Sequence, residues 1–213
     1  MSGWRLVLGV AMFGLTGAAR PMSPPPTITD VHAITLHGGV NRVPGFLPGG
    51  GAATIVQAWR DNGNAHGYYV WMVVGDVEKY GQAPLVIFEG ETLDPADSTV
   101  SASPFDGERV TDDVRFATVR IAGKPASLAI RADLDEAPSG VTADHATATI
   151  RWYRLVHRDD DIGEAPNAFV EIGSLRTTKR YCNVDLALRD TANIPLPLDF
   201  AGANRADGCF PGG

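Results

Sequence analysis

The sequence predicts a mainly β protein, an antiparallel β-sandwich or barrel with one short C-terminal helix. Three observations carry this: several segments alternate apolar and polar residues with period two, Gly/Asn/Pro turn signals separate them, and long 3.6-residue periodicity is scarce. Glycine (24) and proline (15) are abundant in a chain of 213 residues, a balance that suits short strands and tight turns. With 44% hydrophobic residues and 20% charged residues, the chain has material for a core and does not have the composition of a disordered protein.

The strands follow in order. A first is expected at Val31–His37 and a second at Ala53–Trp59. Asp61-Asn62-Gly63-Asn64 then marks a hairpin, because Asn and Gly tolerate positive φ at little cost, and Tyr68–Val74 returns as a strand dense in aromatic and β-branched residues. Leu85–Phe88 is another. A second hairpin joins Val114–Ile121 to Ser127–Arg131 through Gly123-Lys124-Pro125, and Ala146–Val156 and Ala168–Leu175 complete the set. Near the end, Tyr181, Val184 and Leu188 stand at i, i+3 and i+7, which predicts a helix capped by Thr178, with Cys182 in its first turn. The prolines of Ile194-Pro195-Leu196-Pro197 end it.

The organisation is that of one domain behind an export signal. Residues 1–19 combine Arg5, the uncharged run Leu6–Leu15 and the small residues Thr16-Gly17-Ala18-Ala19, the order found in a secretory signal peptide. Ten apolar residues span only about 15 Å as a helix, half a bilayer core, so an integral membrane span is not expected. Cleavage before Arg20 would leave residues 20–27 as a stiff, poorly ordered, proline-rich linker and residues 28–213 as a single β-rich domain. A periplasmic or secreted location follows. There the lone pair Cys182 and Cys209 is expected as a disulfide closing a loop of about 28 residues, worth about 3 kcal/mol by loop entropy. The formal charge of −7 disfavours a nucleic-acid partner.

No motif identifies an activity. The five histidines form no HxH, HExxH or HxHxD pattern, so no metal site is expected. Ser174 lacks the glycine of a nucleophile elbow, no serine is followed at +3 by lysine, and Pro48-Gly49-Gly50-Gly51 lacks the Lys-Ser/Thr of a phosphate loop. Asp159-Asp160-Asp161 departs from EF-hand spacing and suits a solvated loop, as do Asp94, Asp97, Asp112 and Asp113. No catalytic residue and no cofactor are assigned.

Two constellations remain. Trp59 to Trp71 concentrates Asn62, Asn64, His66, Tyr68 and Tyr69 at a hairpin tip, a candidate platform for a polar ligand, although core aromatics beside ordinary turn residues give the same pattern. Arg176, Lys179 and Arg180 gather three cations where the helix is expected to start, and a bound anion or internal salt bridges would compensate them. At these two stretches, WRDNGNAHGYYVWMVV and TTKRYCNVDLALRD, the chain resembles small exported proteins of Gram-negative bacteria grouped with the carbapenem intrinsic-resistance (CarG-like) family. That resemblance implies a periplasmic β-rich protein that protects against a β-lactam without lactamase machinery. The expectation is therefore a non-enzymatic binding protein for a small anionic ligand. A hydrolase using His66, or His145 with Asp144, and a module that binds another envelope protein are the alternatives.

Overall fold

The computed structural model describes residues 22–63, 67–76, 81–89, 96–102, 105–106, 109–136, 145–158, 165–198 and 200. Their strands, in chain order, are β1 (Ile28–Ala33), β2 (Gly39–Val43), β3 (Ala53–Arg60), β4 (Tyr68–Val74), β5 (Leu85–Glu89), β6 (Ala96–Asp97), β7 (Thr99–Ala102), β8 (Phe105–Asp106), β9 (Arg109–Val110), β10 (Asp112–Ile121), β11 (Lys124–Leu134), β12 (Ala148–His157) and β13 (Asn167–Arg176). One helix, α1, spans Val184–Ala192. The main sheet runs β1-β10-β11-β12-β13-β5-β4-β3-β2, with β6 paired to β5 and β7 to β4. It curls into a half-barrel, so that β10 meets β7 and Ser127 Oγ on β11 donates to the Phe46 carbonyl at 2.6 Å.

Both expected hairpins form. In the second, Ile121 pairs with Lys124, so the turn is the two residues Ala122 and Gly123, both at positive φ, while Lys124 and Pro125 already belong to the strand. The expectation of a wholly antiparallel sheet needs correction: β5 and β13 pair in parallel, Asn167 beside Val86 and Phe169 beside Phe88.

Period-two alternation gives the sheet two apolar faces. Leu128, Ile130 and Ala132 of β11 join Ile150 and Trp152 of β12 under Val184, Ala187 and Leu188 of the helix. The residues between them face the concave side, where Ala129 meets Val114, Phe116, Leu155 and Phe169, closed over by Phe46, Ile55, Trp71, Val73, Val86 and Phe88. A bulge changes the phase on β13: Gly173 pairs with Trp152, but Glu171 pairs with Tyr153, leaving Ile172 as the extra residue.

That bulge receives the proline-rich segment, which is docked and not the loose tether expected of it. Ser174 donates its backbone N–H to the Ser23 carbonyl at 2.7 Å, and Pro24-Pro25 cross directly over Gly173. Proline residues arrive with φ already fixed, so their docking costs little chain entropy.

The helix starts later than its periodicity suggested. Tyr181 is held extended by a bridge to Ala146, and Cys182 and Asn183 follow before the first turn. Asn183, not Thr178, is the cap, its side chain accepting from the Asp185 amide at 2.9 Å. Asn193, in the left-handed region, ends the helix before Pro195. Cys182 is buried beside the helix, and Cys209 lies outside the described residues. Among the described residues no helix is long and apolar enough to cross a membrane.

Candidate functional site

On the concave side the phenylalanine core gives way to charge toward the Leu134 end of β11. Continuing the alternation past Ala129, β11 presents Arg131 and Asp133, and β12 presents Tyr153, Arg151 and Thr149. The register sets Arg131 directly opposite Arg151, and on the other side Asp112 of β10 directly opposite Asp133. Like charges in such pairs repel, so the arrangement holds only because the two signs interleave. Asp133 does the interleaving. Its Oδ1 accepts from Arg131 Nε at 3.1 Å and Nη2 at 3.0 Å, and its Oδ2 accepts from Arg151 Nη1 at 3.0 Å. Burial favours loss of the Arg131 proton, but the Asp133 carboxylate more than offsets it and raises the pKa, so Arg131 is firmly cationic.

These groups line a cavity of about 550 Å³ between the β11–β12 wall and the β5–β7 side, where Phe88, Val100, Val114, Ala129 and the Tyr153 ring supply apolar surface. Between 26% and 39% of the Arg131, Asp133 and Arg151 side chains stays exposed, so a solute can reach them. Asp135, at the rim, is more fully engaged: it accepts from Thr149 at 3.2 Å, from Arg176 at 2.8 Å and from the Thr147 hydroxyl. Glu89 is paired with Arg158. Two guanidinium groups that share one carboxylate, beside an apolar floor and with the Glu89 and Asp135 carboxylates paired elsewhere, can take a small molecule with a carboxylate on a compact apolar body.

Of the residues expected from sequence to form the site, those that are described do not gather here. Tyr68 and Tyr69 point to opposite sides of their hairpin. Tyr68 lies under the Arg60 guanidinium, 5.1 Å from ring centroid to Cζ, whereas Tyr69 lies between Trp59, which it meets edge-on at 4.7 Å, and the tilted ring of Trp71 at 5.6 Å, on the concave side. Asn62 sits in the turn, where Asp61 accepts from the Gly63 amide at 2.8 Å; Asn64 and His66 lie outside the described residues, as do Asp144 and Asp159–Asp161. The three cations of the 176–180 segment have internal partners. Arg176 bonds Asp135, Lys179 bonds Asp190 at 2.6 Å, and Arg180 donates to the His145 carbonyl. Of the three, Arg176 is the one that bonds a residue lining the cavity, Asp135. Since the helix begins at Val184, these cations do not sit on its first turn.

A second polar cluster, on the opposite face, escaped the sequence. Asp113, expected in a solvated loop, is buried on β10 because its alternation turns it toward the helix. It meets Arg115 at 2.6 Å, and Arg115 reaches Asp185 of α1 at 2.8 Å. Burial, then the Asp185 carboxylate, hold the Asp113 pKa well above the ordinary range against the opposing pull of Arg115. Among the described residues no group of three or more His, Cys, Asp or Glu is placed to hold a metal ion.

No family model and no curated protein matches the sequence. Among solved structures, the fold is similar to the crystal structure of CarG, with a TM-score of 0.57 and 16% identity, covering 75% of this chain and 95% of that one. The likeness establishes a shared fold.

Proposed function

We propose that this chain is an exported, periplasmic binding protein that holds a small anionic ligand of β-lactam size in the concave cavity without turning it over. The observation that carries the reading is the convergence of Arg131 and Arg151 on one carboxylate inside a cavity of about 550 Å³. Small-molecule sites fall in the range of roughly 300–1,000 Å³ and place a few polar groups over an apolar lining. The CarG-like fold and the lack of SxxK and HxHxD patterns support protection by binding. In this reading the chain is cut after Ala19, and Cys182 pairs with Cys209 to anchor the tail beside α1.

The test is calorimetry on the processed protein with a carbapenem, followed by chromatography of the ligand. Saturable binding with the ligand recovered intact is expected, and Arg151→Ala should weaken it about tenfold or more, as befits one charge-assisted contact worth about 1.5–3 kcal/mol. Turnover of the ligand, or no binding at all, would overturn the reading. Export is checked separately: a mature N-terminus at Arg20 and the absence of free thiols under denaturing conditions are expected.

A further inference from the structure

We infer that Asp133 is an internal stand-in for the ligand's carboxylate: the ligand binds by displacing the Asp133 side chain from between Arg131 and Arg151. The inference rests on the reading of the cavity as an anion site and names how that site is occupied and controlled.

The strand register requires an anion at this position. Arg131 and Arg151 are direct cross-strand neighbours, and two guanidinium groups so placed repel unless a negative charge sits between them. Asp133 supplies it, using both carboxylate oxygens, the same two-oxygen engagement that any free carboxylate would make. Each guanidinium has five donors in a planar fork, so a second carboxylate can take over without rebuilding the pair.

The bonds that hold Asp133 come from the two arginines themselves, so a ligand that takes over those arginines also releases it. Asp135 is fixed by two threonine hydroxyls and Arg176, whereas Asp133 faces the like charge of Asp112 directly across the β10–β11 pair. About a quarter of its side chain is exposed to the cavity. An incoming carboxylate that replaces it keeps both arginines neutralised and lets Asp133 turn away from Asp112. The cavity floor of Phe88, Val100, Val114 and Ala129 then selects carboxylates with a compact apolar body over acetate. The internal carboxylate thereby lowers affinity and raises selectivity, since a ligand must outcompete a tethered group.

The experiment compares the parent with Asp133→Ala and the near-isosteric Asp133→Asn, using phenylacetate as the probe and chloride at equal ionic strength as the control. Asp133→Ala is expected to melt below the parent, to recover most of that loss in phenylacetate and little of it in chloride, and to bind phenylacetate at least about tenfold more tightly than the parent. Adding Arg151→Met should abolish the recovery. If Asp133→Ala does not fold, Asp133→Asn carries the same comparison, because it keeps the shape and removes the charge. Equal responses to phenylacetate and chloride, or binding no tighter than that of the parent, would overturn the inference. The two readings fail separately. Carboxylate rescue without carbapenem binding sinks the ligand proposed above and leaves the stand-in role, whereas carbapenem binding unchanged by Asp133→Asn sinks the stand-in role alone.

Discussion

Pro25 lies over Gly173 so closely that a methyl group on residue 173 would stand 2.5 Å from the proline Cα. Only the absence of a side chain lets the N-terminal segment bridge the β13 bulge. Gly173→Ala should therefore expel Pro24-Pro25, break the Ser174–Ser23 hydrogen bond and cost about 1–3 kcal/mol in urea denaturation. In a chain that begins at Pro26 the same substitution should cost little. An equal cost in both backgrounds would show that the contact does not hold the segment.

Phe169 joins the two halves of the concave core. Its ring is fully buried, stacks on Phe88 at 4.7 Å and meets Phe116 and Phe46 at 6.1 and 6.3 Å. Phe169→Ala should lower unfolding free energy by about 3–5 kcal/mol. Because Phe88 also lines the cavity, the variant should lose ligand affinity even at temperatures where it stays folded. Calorimetry well below its melting point checks this.

The Asp113 carboxyl links helix docking to pH. Its folded-state pKa lies above the unfolded value, chiefly through burial, so the folded chain holds the proton more tightly. Its contribution to stability is fully present below the unfolded pKa and is lost as pH rises through the folded-state value. Asp113→Asn should thus gain on the parent steadily as pH rises from about 4 toward neutrality, measured as the difference in urea midpoints. A difference that does not vary with pH would refute the assignment.

Arg115 holds that pair together. Replacing it by methionine takes away the cation that Asp113 and Asp185 share and leaves the Asp185 carboxylate without that counter-charge, which should cost about 3 kcal/mol. The guanidinium is 28% exposed, which keeps the figure at the low end for a broken buried pair. Hydrogen exchange should report the loss first in α1, since Asp185 is that helix's tie to β10.

Asn183 offers a finer probe of the same junction. Its Oδ1 caps the helix, but its Nδ2 is buried without a hydrogen-bond partner. Asn183→Ala should cost about 1 kcal/mol for the lost cap, while Asn183→Ser keeps an acceptor, removes the stranded donor and should cost less. Melting temperatures of the two variants in that order are the check.

The strands were legible because burial on one side of a sheet writes itself into every second residue, as in Leu128, Ile130 and Ala132. The hairpin turns were legible because Gly63 and Gly123 mark positive φ. The cavity was not. Arg131, Asp133 and Arg151 alternate with apolar neighbours just as a solvated outer face does, and only the curl of the sheet turns them inward. In the hairpin platform, Tyr68 and Tyr69 are adjacent in sequence, which on a strand places them on opposite sides, while Asn64 and His66 lie outside the described residues. The helix start was missed because Thr178 and Asn183 are both capping residues, and the Tyr181–Ala146 bridge decides between them.

The parallel pairing of β5 with β13 joins residues about 80 positions apart, with no short connection to bring them together. During synthesis β2–β5, with β6 and β7, can pair among themselves long before β13, the strand that joins them to the rest of the sheet, is made. Such a topology has high contact order and folds slowly, with the β5 edge unpaired in the meantime. A chain built this way spends its early life exposed along that edge, and any truncation short of Asn167 would leave it so permanently.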